Sequence, residues 1–320
     1  MVEGGGGPVG DRRGLAPKRV PGSPLLSGKP PDFKGVSHRS WGALPILSSS
    51  IVCVERAVDW LRDWLGTNDG AAGSVRYSDE AGVRRLFLGG SETIQSAMRL
   101  SDPVRLELAY TRAMLCSLLF RPDPGRALLL GLGGGSLAKY IHHRLPGCRL
   151  EAVDANPDVI AIAREHFALP PDDARLAVTL GDAAEHLAGV AASSVDLLLV
   201  DVYDERRQVA SCASRAFFSD AAAVLTREGA CAVNFWSNAP EYPVYRDRFL
   251  DAFSGRVLLL PVARPGNMIA FGFATADGDW RWQHLRDRAR QLEPVHALEF
   301  GAFVEALRQA NPYSENRLLI

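Results

Sequence analysis

Short apolar strands alternate with helical segments from Arg126 onward, and this alternation constrains the fold more than any other feature of the chain. Uninterrupted apolar runs predict five strands, at 126–131, 149–154, 174–180, 195–201 and 229–236. The segments between them have helical character, at 136–145, 156–167, a short stretch beginning at Asp182, and 214–227. Apolar strands that alternate with helices indicate a parallel sheet covered on both faces.

The end of the chain departs from this pattern. Residues 255–261 and 268–275 are predicted as two strands joined by a five-residue turn that contains Pro265 and Gly266. That spacing indicates an antiparallel hairpin that closes the sheet. The predicted fold class is therefore α/β, with a doubly wound, mostly parallel sheet of seven strands. Helices near 283–292 and 302–310 complete the chain.

The region ahead of the sheet has a different character. Residues 52–65 fit a short amphipathic helix, and 74–88 fit two strands around the turn 79–82, a small β-hairpin. A helix is predicted over 102–120 because apolar residues recur there every four positions, at Leu106, Tyr110, Met114 and Leu118.

Residues 1–50 are predicted to be a disordered tail. They hold 10 Gly and 7 Pro, and such a composition buries too little apolar surface to offset the entropy of ordering. A basic docking arm is the functional alternative. We divide the rest of the chain into an N-terminal helix, hairpin and linking helix (51–120), a main α/β domain (121–278) and C-terminal helices (279–320).

Charge and composition exclude several classes of function. The tail carries 7 basic and 3 acidic residues, so the body of this chain of net charge −1 is mildly acidic, and no nucleic-acid partner is expected. No apolar run is long enough for a membrane span, and no signal peptide is recognised. Lys139 is the only lysine beyond residue 34, which argues against a Schiff-base enzyme or a phosphate loop.

The five cysteines are odd in number, widely spaced and form no C-x-x-C pair. This pattern is typical of buried thiols in a reducing compartment. We therefore expect a cytoplasmic protein without a metal site.

A glycine-rich turn follows the first strand and begins the next helix. It consists of Gly131, Leu132, Gly133, Gly134 and Gly135. Glycines there let the backbone approach a ligand, and the helix N-terminus offers free N–H groups. Such turns also serve tight packing, so the turn alone leaves both interpretations open.

Aspartates end the strands that follow. Asp154 lies 21 residues after Gly133 at the end of the second strand, where a carboxylate can accept hydrogen bonds from ribose hydroxyls. Asn156 and Pro157 supply the N-cap and first turn of the following helix, so Asp154 is not needed as a cap. Asp182 either contacts a ligand or caps its helix.

A second pair of aspartates follows the fourth strand. Asp201 and Asp204 end that strand and begin its loop, where two carboxylates can hold a cationic amine and the nearer one can act as a base. A solvated loop is the alternative interpretation of this pair.

Taken in order, these features resemble the class I S-adenosylmethionine-dependent methyltransferase fold, which is Rossmann-like. Within it, the chain resembles the spermidine synthase (polyamine aminopropyltransferase) family and is similar to its spermidine-synthase-like members. The resemblance covers roughly residues 75–275. It is carried by Ile94-Gln95, Tyr110, the glycine turn, Asp154, Gly181-Asp182 and the segment Asp201-Val202-Tyr203-Asp204.

The resemblance implies a role for each matching residue. It makes 121–278 an S-adenosylmethionine-type nucleotide-binding domain in which the glycine turn and Asp154 hold the donor's nucleoside and Asp182 its adenine. Asp201 would be the catalytic base. The amine side would use Asp204, with Tyr110 and Gln95 lining the pocket. It further implies transfer of an aminopropyl group from decarboxylated S-adenosylmethionine to a small amine, in polyamine biosynthesis, by a homodimer.

The chain departs from the family pattern mainly on the amine side. The glycine turn of the family carries an Asp where this chain has Gly134, and arginines stand at 206, 207 and 264 near the expected amine site. These cations would suit an anionic acceptor or the carboxylate of intact S-adenosylmethionine. A methyltransferase acting on an unknown acceptor therefore stays open, as does a non-catalytic nucleoside-binding protein.

Overall fold

A computed structural model describes residues 75–203, 209–262 and 266–320. The predicted tail, the helix over 52–65, Asp204 and the arginines at 206, 207 and 264 lie outside the described residues. The proposed division of the chain into four parts stays a prediction.

The described part begins with a small antiparallel sheet. Its strands are β1 (Val75–Glu80), β2 (Val83–Leu88) and β3 (Ser96–Arg99), in the order β1-β2-β3. The first two form the predicted hairpin. The sequence did not predict β3, which pairs with β2.

A seven-stranded sheet forms the centre of the molecule, as predicted. Its strands are β4 (Arg126–Leu130), β5 (Arg149–Asp154), β6 (Leu176–Leu180), β7 (Val195–Val200), β8 (Leu225–Trp236), β9 (Val257–Pro261) and β10 (Asn267–Phe273). They lie in the order β6-β5-β4-β7-β8-β10-β9. The first five are parallel, and β10 is antiparallel to both β8 and β9. The α/β fold class and its terminal hairpin are confirmed.

Helices cover both faces of this sheet. They are α1 (Ala109–Met114), α2 (Ser136–Arg144), α3 (Pro157–His166), α4 (Ala183–Ala188), α5 (Arg215–Ala223), α6 (Tyr242–Ala252), α7 (Trp282–His296) and α8 (Phe300–Ala310). Alternate residues of β4 enter different cores: Leu129 packs on the side of α2, α7 and α8, whereas Leu128 and Leu130 pack on the side of α4, α5 and α6. No described helix has the length and apolarity needed to cross a membrane.

Two predicted helices are longer than the observed ones. The helix expected over 102–120 begins only at Ala109 and ends in a 3₁₀ turn, Leu115–Leu119. Leu106 is buried in the core without being helical, and Arg99 holds the neighbouring Glu107 through two hydrogen bonds of 2.8 and 2.9 Å. The prediction of a helix over 102–120 was therefore wrong in its first half, although apolar residues recur there at four-residue spacing.

The second error concerns the helix expected over 214–227. Helix α5 ends at Ala223, and strand β8 begins at Leu225. Leu225 pairs with Val195 of β7, and an irregularity between Val195 and Leu197 absorbs the shift in register. Pairing with the neighbouring strand thus overrides the local helical pattern.

Lys139 anchors the helix that follows the glycine turn. Its side chain is buried, and its ammonium donates a hydrogen bond to the carbonyl of Phe167, just beyond α3. Burial lowers the pKa of Lys139 to about 8. This buried bond joins α2 to the end of α3.

The ends of β4 and β7 approach each other very closely at Gly131. A Cβ on Gly131 would lie 2.1 Å from the carbonyl oxygen of Asp201, and the residue has a φ of +89°. Only glycine fits both the space and the backbone conformation.

We expect Gly131→Ala to lower the free energy of unfolding by about 2–4 kcal/mol, through overpacking and backbone strain. Gly147→Ala is the matched control, because a Cβ there meets no atom within 4 Å. Urea unfolding of the two variants measures the difference. Equal stability of the two variants would contradict the close approach of β4 and β7.

Candidate active site

A cavity of about 980 Å³ opens at the carboxyl ends of the parallel strands. Residues that end β4, β5 and β7 line it, together with Gln95, which directly precedes β3, and Tyr110 of α1. Ligands of doubly wound sheets bind at this edge. The cavity brings together Gln95, Tyr110, Gly131, Gly133, Asp154, Asp182 and Asp201.

The described wall of this cavity is acidic. No described lysine or arginine lines it. Six carboxylates do, and they are Glu92, Glu107, Asp154, Asp182, Asp201 and Glu241. Glu92 and Glu107 form ion pairs with Arg76 and Arg99. Among the described residues, no ion pair joins a basic side chain to Asp154, Asp182 or Asp201. The cavity therefore favours a cationic ligand.

Asp154 connects the end of β5 to the glycine turn. Its Oδ2 accepts the backbone N–H of Leu132 at 2.9 Å, and its Oδ1 accepts that of Asn156 at 3.0 Å. Burial raises the pKa of Asp154, and these N–H donors oppose the rise. Each carboxylate oxygen keeps a second lone pair, so Asp154 can also accept hydroxyl donors from a ligand. Asn156 is the helix cap, as predicted, and accepts the N–H of Asp158.

Asp182 caps helix α4 and also lines the cavity. Its Oδ1 accepts the backbone N–H groups of Ala184 and Glu185 at 2.8 and 3.0 Å. The capping interpretation of Asp182 is therefore correct. The other carboxylate oxygen makes no hydrogen bond to a described residue and can accept a donor from a ligand.

Asp201 is the first residue beyond β7, and it is held by polar groups from two other elements. Asn234 of β8 donates to its Oδ1 at 2.8 Å, and the hydroxyl of Tyr110 also hydrogen-bonds the carboxylate. Burial raises the pKa of Asp201 to about 6, although both hydrogen bonds act to lower it. At neutral pH Asp201 is thus a carboxylate that takes up a proton more readily than an ordinary aspartate.

Tyr110 lies between Gln95 and Asp201. Its hydroxyl lies 3.3 Å from the carbonyl oxygen of Gln95, to which it can donate, as well as beside Asp201. Burial and the nearby Asp201 carboxylate raise the pKa of Tyr110 well above its ordinary value. The phenol therefore stays protonated and acts as a donor.

Some glycines of the turn line the cavity, and the others pack against side chains behind it. Gly131 and Gly133 line the cavity, whereas Gly134 and Gly135 lie behind the wall against Phe167 and Leu169. A Cβ on Gly134 would lie 2.7 Å from the ring of Phe167 and 2.9 Å from the hydroxyl of Ser96. The space beside Gly134 is therefore filled, and a carboxylate side chain does not fit there unless those groups move.

Sequence reasoning missed Asn234 and Asn267, which lie behind Asp201. Asn234 is 2% exposed and Asn267 is 7% exposed. A signal for Asn234 was present: a single amide stands inside the apolar stretch Ala232-Val233-Asn234-Phe235. A polar side chain in a buried strand needs a partner, and the partner here is Asp201.

No family model matches the chain, but several curated proteins are similar to it. A polyamine aminopropyltransferase of Chromobacterium violaceum is 41% identical over 246 residues, which cover 77% of this chain and 94% of that relative. A polyamine aminopropyltransferase of Neisseria meningitidis serogroup A is 37% identical over 239 residues, or 74% of this chain and 90% of the relative.

The chain belongs to the polyamine aminopropyltransferase family. The resemblance seen in the sequence and the predicted class of enzyme, a transferase, are thereby confirmed. A probable spermidine synthase from Corynebacterium glutamicum has the same fold, with a TM-score of 0.60 and 18% identity over 79% of this chain and 99% of that structure. The chain therefore has the fold expected for this family, with the acidic cavity at the carboxyl ends of its parallel strands.

The raised pKa of Asp201 has a consequence for stability. The folded state keeps a proton on Asp201 up to about pH 6, whereas the unfolded chain loses it near 3.8. The free energy of unfolding should therefore fall as the pH rises from about 4 to 6 and stay lower above that range, by up to about 3 kcal/mol for this group.

We expect Asp201→Asn to be more stable than the wild type at pH 7.5 and to lose this advantage near pH 4. Urea unfolding of both proteins across this range measures the difference, and Asp158→Asn, an exposed site, is the control. A stability difference that does not change with pH would show that the pKa of Asp201 is ordinary.

Proposed function

We propose that this transferase moves an aminopropyl group from decarboxylated S-adenosylmethionine to a small primary amine. The observation that carries this proposal is the acidic cavity, which no described lysine or arginine lines and in which Asp154, Asp182 and Asp201 form no ion pair with a described residue. The donor carries a sulfonium and an ammonium, and the acceptor is an ammonium before it reacts. Both substrates are cations, as the cavity requires.

The nucleoside half of the donor fits the ends of β4 and β5. We assign the ribose hydroxyls to Asp154, whose carboxylate is already oriented by the N–H groups of Leu132 and Asn156. The adenine amino group is assigned to the second oxygen of Asp182. Gly131 and Gly133 let the backbone pass close to the nucleoside.

Asp201 is the proposed base. The acceptor nitrogen loses a proton to Asp201 and attacks the aminopropyl carbon bonded to sulfur. A carbon–nitrogen bond forms, the carbon–sulfur bond breaks, and methylthioadenosine leaves with the electron pair on sulfur. The sulfonium activates its own carbon, so the protein aligns the amine and removes its proton.

One feature of the described wall favours the decarboxylated donor over intact S-adenosylmethionine. Intact donor carries a carboxylate, and the described wall offers no cation to pair with it. An unpaired carboxylate among other carboxylates is unfavourable in a site of low dielectric. Gly134 also leaves no carboxylate at the position where the family carries an Asp, so the remaining acidic residues of the wall must receive the donor's amine.

Calorimetric titration with each donor tests this choice. We expect decarboxylated S-adenosylmethionine to bind about tenfold more tightly than the intact donor, or better. With putrescine added, mass spectrometry should show methylthioadenosine and an aminopropylated amine. Preference for the intact donor without methylthioadenosine release would favour a methyltransferase. Binding of a donor without any product would favour a non-catalytic nucleoside-binding protein.

The Asp201→Asn variant tests the base. Loss of a general base should lower kcat by about 10²–10⁴-fold, while the affinity for the donor changes little. Asp158→Asn is the control, because its side chain is exposed and does not line the cavity. If Asp201→Asn transfers at the wild-type rate, Asp201 is not the base.

A further inference from the structure

Two buried amides lie in line behind Asp201. Asn234 is on β8 and Asn267 begins the adjacent antiparallel strand β10, where it pairs with Trp236, two residues beyond Asn234. Residues two apart in a strand share a face, so Asn234 and Asn267 are diagonal neighbours on one face of the sheet. Val200 pairs with Val233, so the next residues of β7 and β8 are Asp201 and Asn234.

Hydrogen bonds connect these three residues in a fixed direction. Asn267 donates its Nδ2 to the Oδ1 of Asn234 at 2.9 Å, and Asn234 donates its own Nδ2 to Asp201 at 2.8 Å. A carboxylate only accepts, so the NH₂ group of Asn234 must face Asp201 and its carbonyl oxygen must face Asn267. Asn267 satisfies that oxygen and thereby selects the orientation of the Asn234 amide.

The backbone around this chain of bonds is also held. The hydroxyl of Tyr203 donates to the backbone carbonyl of Asn234 at 2.7 Å. The loop that carries Asp201 is thus tied to β8 at two points, one through a side chain and one through the backbone. Asn234 cannot move away from Asp201 without breaking both.

We propose that Asn267 is a positioning residue of the transfer reaction, which acts through Asn234 to keep the Asp201 carboxylate oriented and ionised. This inference rests on the proposed role of Asp201 as the base. Asn267 lines the same cavity, but its effect on Asp201 passes through the Asn234 amide.

The other groups that face Asp201 do not replace this effect. The titratable groups beside it among the described residues are Tyr110 from α1 and Tyr203 from its own loop, and both are phenols of raised pKa. The glycine turn contributes only backbone at Gly131. Asn234 and Tyr110 are therefore the two donors that oppose the effect of burial on the carboxylate.

Without Asn267, the Asn234 amide is free to turn its carbonyl oxygen toward Asp201. The ionised form of Asp201 then loses a hydrogen bond while the protonated form does not, so the pKa of Asp201 rises. The base would be available only at higher pH. Above the new pKa the variant should react nearly as well as the wild type, which a general loss of structure would not allow.

The test uses Asn267→Ala, Asn234→Ala and the double variant in the full chain. We expect Asn267→Ala to move the acid limb of the pH profile of kcat/KM upward by about one pH unit. At a pH below the limb, kcat/KM should fall about tenfold, and at pH 8.5 it should change by less than about threefold. Asn234→Ala should move it at least as far. The double variant should equal Asn234→Ala, because Asn267 acts only through Asn234.

Two further variants keep the test decisive. Asn267→Leu keeps a side chain of similar size but has no donor and adds no charge, so it should shift the limb even if Asn267→Ala folds poorly. Asn311→Ala is the control: it removes another buried amide, which hydrogen-bonds the backbone of Leu259 and Leu307 and not Asp201 or Asn234. This variant should leave the limb unchanged. An unshifted limb in both Asn267 variants would overturn the proposal, as would additive shifts in the double variant.

A titration separates this proposal from the proposed function. With ¹³C-carboxyl-labelled aspartate, the NMR signal that Asp201→Asn removes reports the pKa of Asp201 without any turnover. Asn267→Ala should raise that pKa by about one unit. A raised pKa in a protein that transfers nothing would refute the function alone, whereas an unchanged pKa in an active enzyme would refute the role of Asn267.

Discussion

Strands β4 and β7 end so close together that the backbones of Gly131 and Asp201 touch with no room for a side chain. From this contact the glycine turn passes in one direction to Asp154, which accepts the N–H of Leu132. In the other direction the chain leaves β7 at Asp201, beside Asn234 of the next strand. The positions of the groups assigned to the nucleoside and to the amine therefore depend on the same contact between β4 and β7.

The same contact explains the chemistry of Asp201. Its carboxylate is surrounded by backbone, by Tyr110 and by Asn234, so burial favours the protonated form while two donors favour the ionised form. The result is a carboxyl group whose pKa lies between that of an ordinary aspartate and neutrality. An ionised carboxylate held in this way costs stability, a cost that is typical of functional sites and agrees with the proposed use of Asp201.

The sequence predicted the sheet, and it predicted the aspartates that end its strands beside the cavity, because both depend on local signals. Apolar runs marked β4, β5 and β7, and Asp154 and Asn156 follow β5 directly. The helix over 102–120 failed because Leu106 is buried by tertiary packing rather than by helical geometry. Asn267 could not be found from local pattern, since its role exists only after β10 pairs with β8.

A crystal structure with methylthioadenosine and a diamine bound would test the central claim most directly. The ribose hydroxyls should lie within hydrogen-bond distance of Asp154, and one nitrogen of the diamine should lie about 3 Å from the Asp201 carboxylate, on the sulfur side of the nucleoside. A nucleoside bound away from the ends of β4 and β5, or a diamine whose nitrogens do not approach Asp201, would contradict the account.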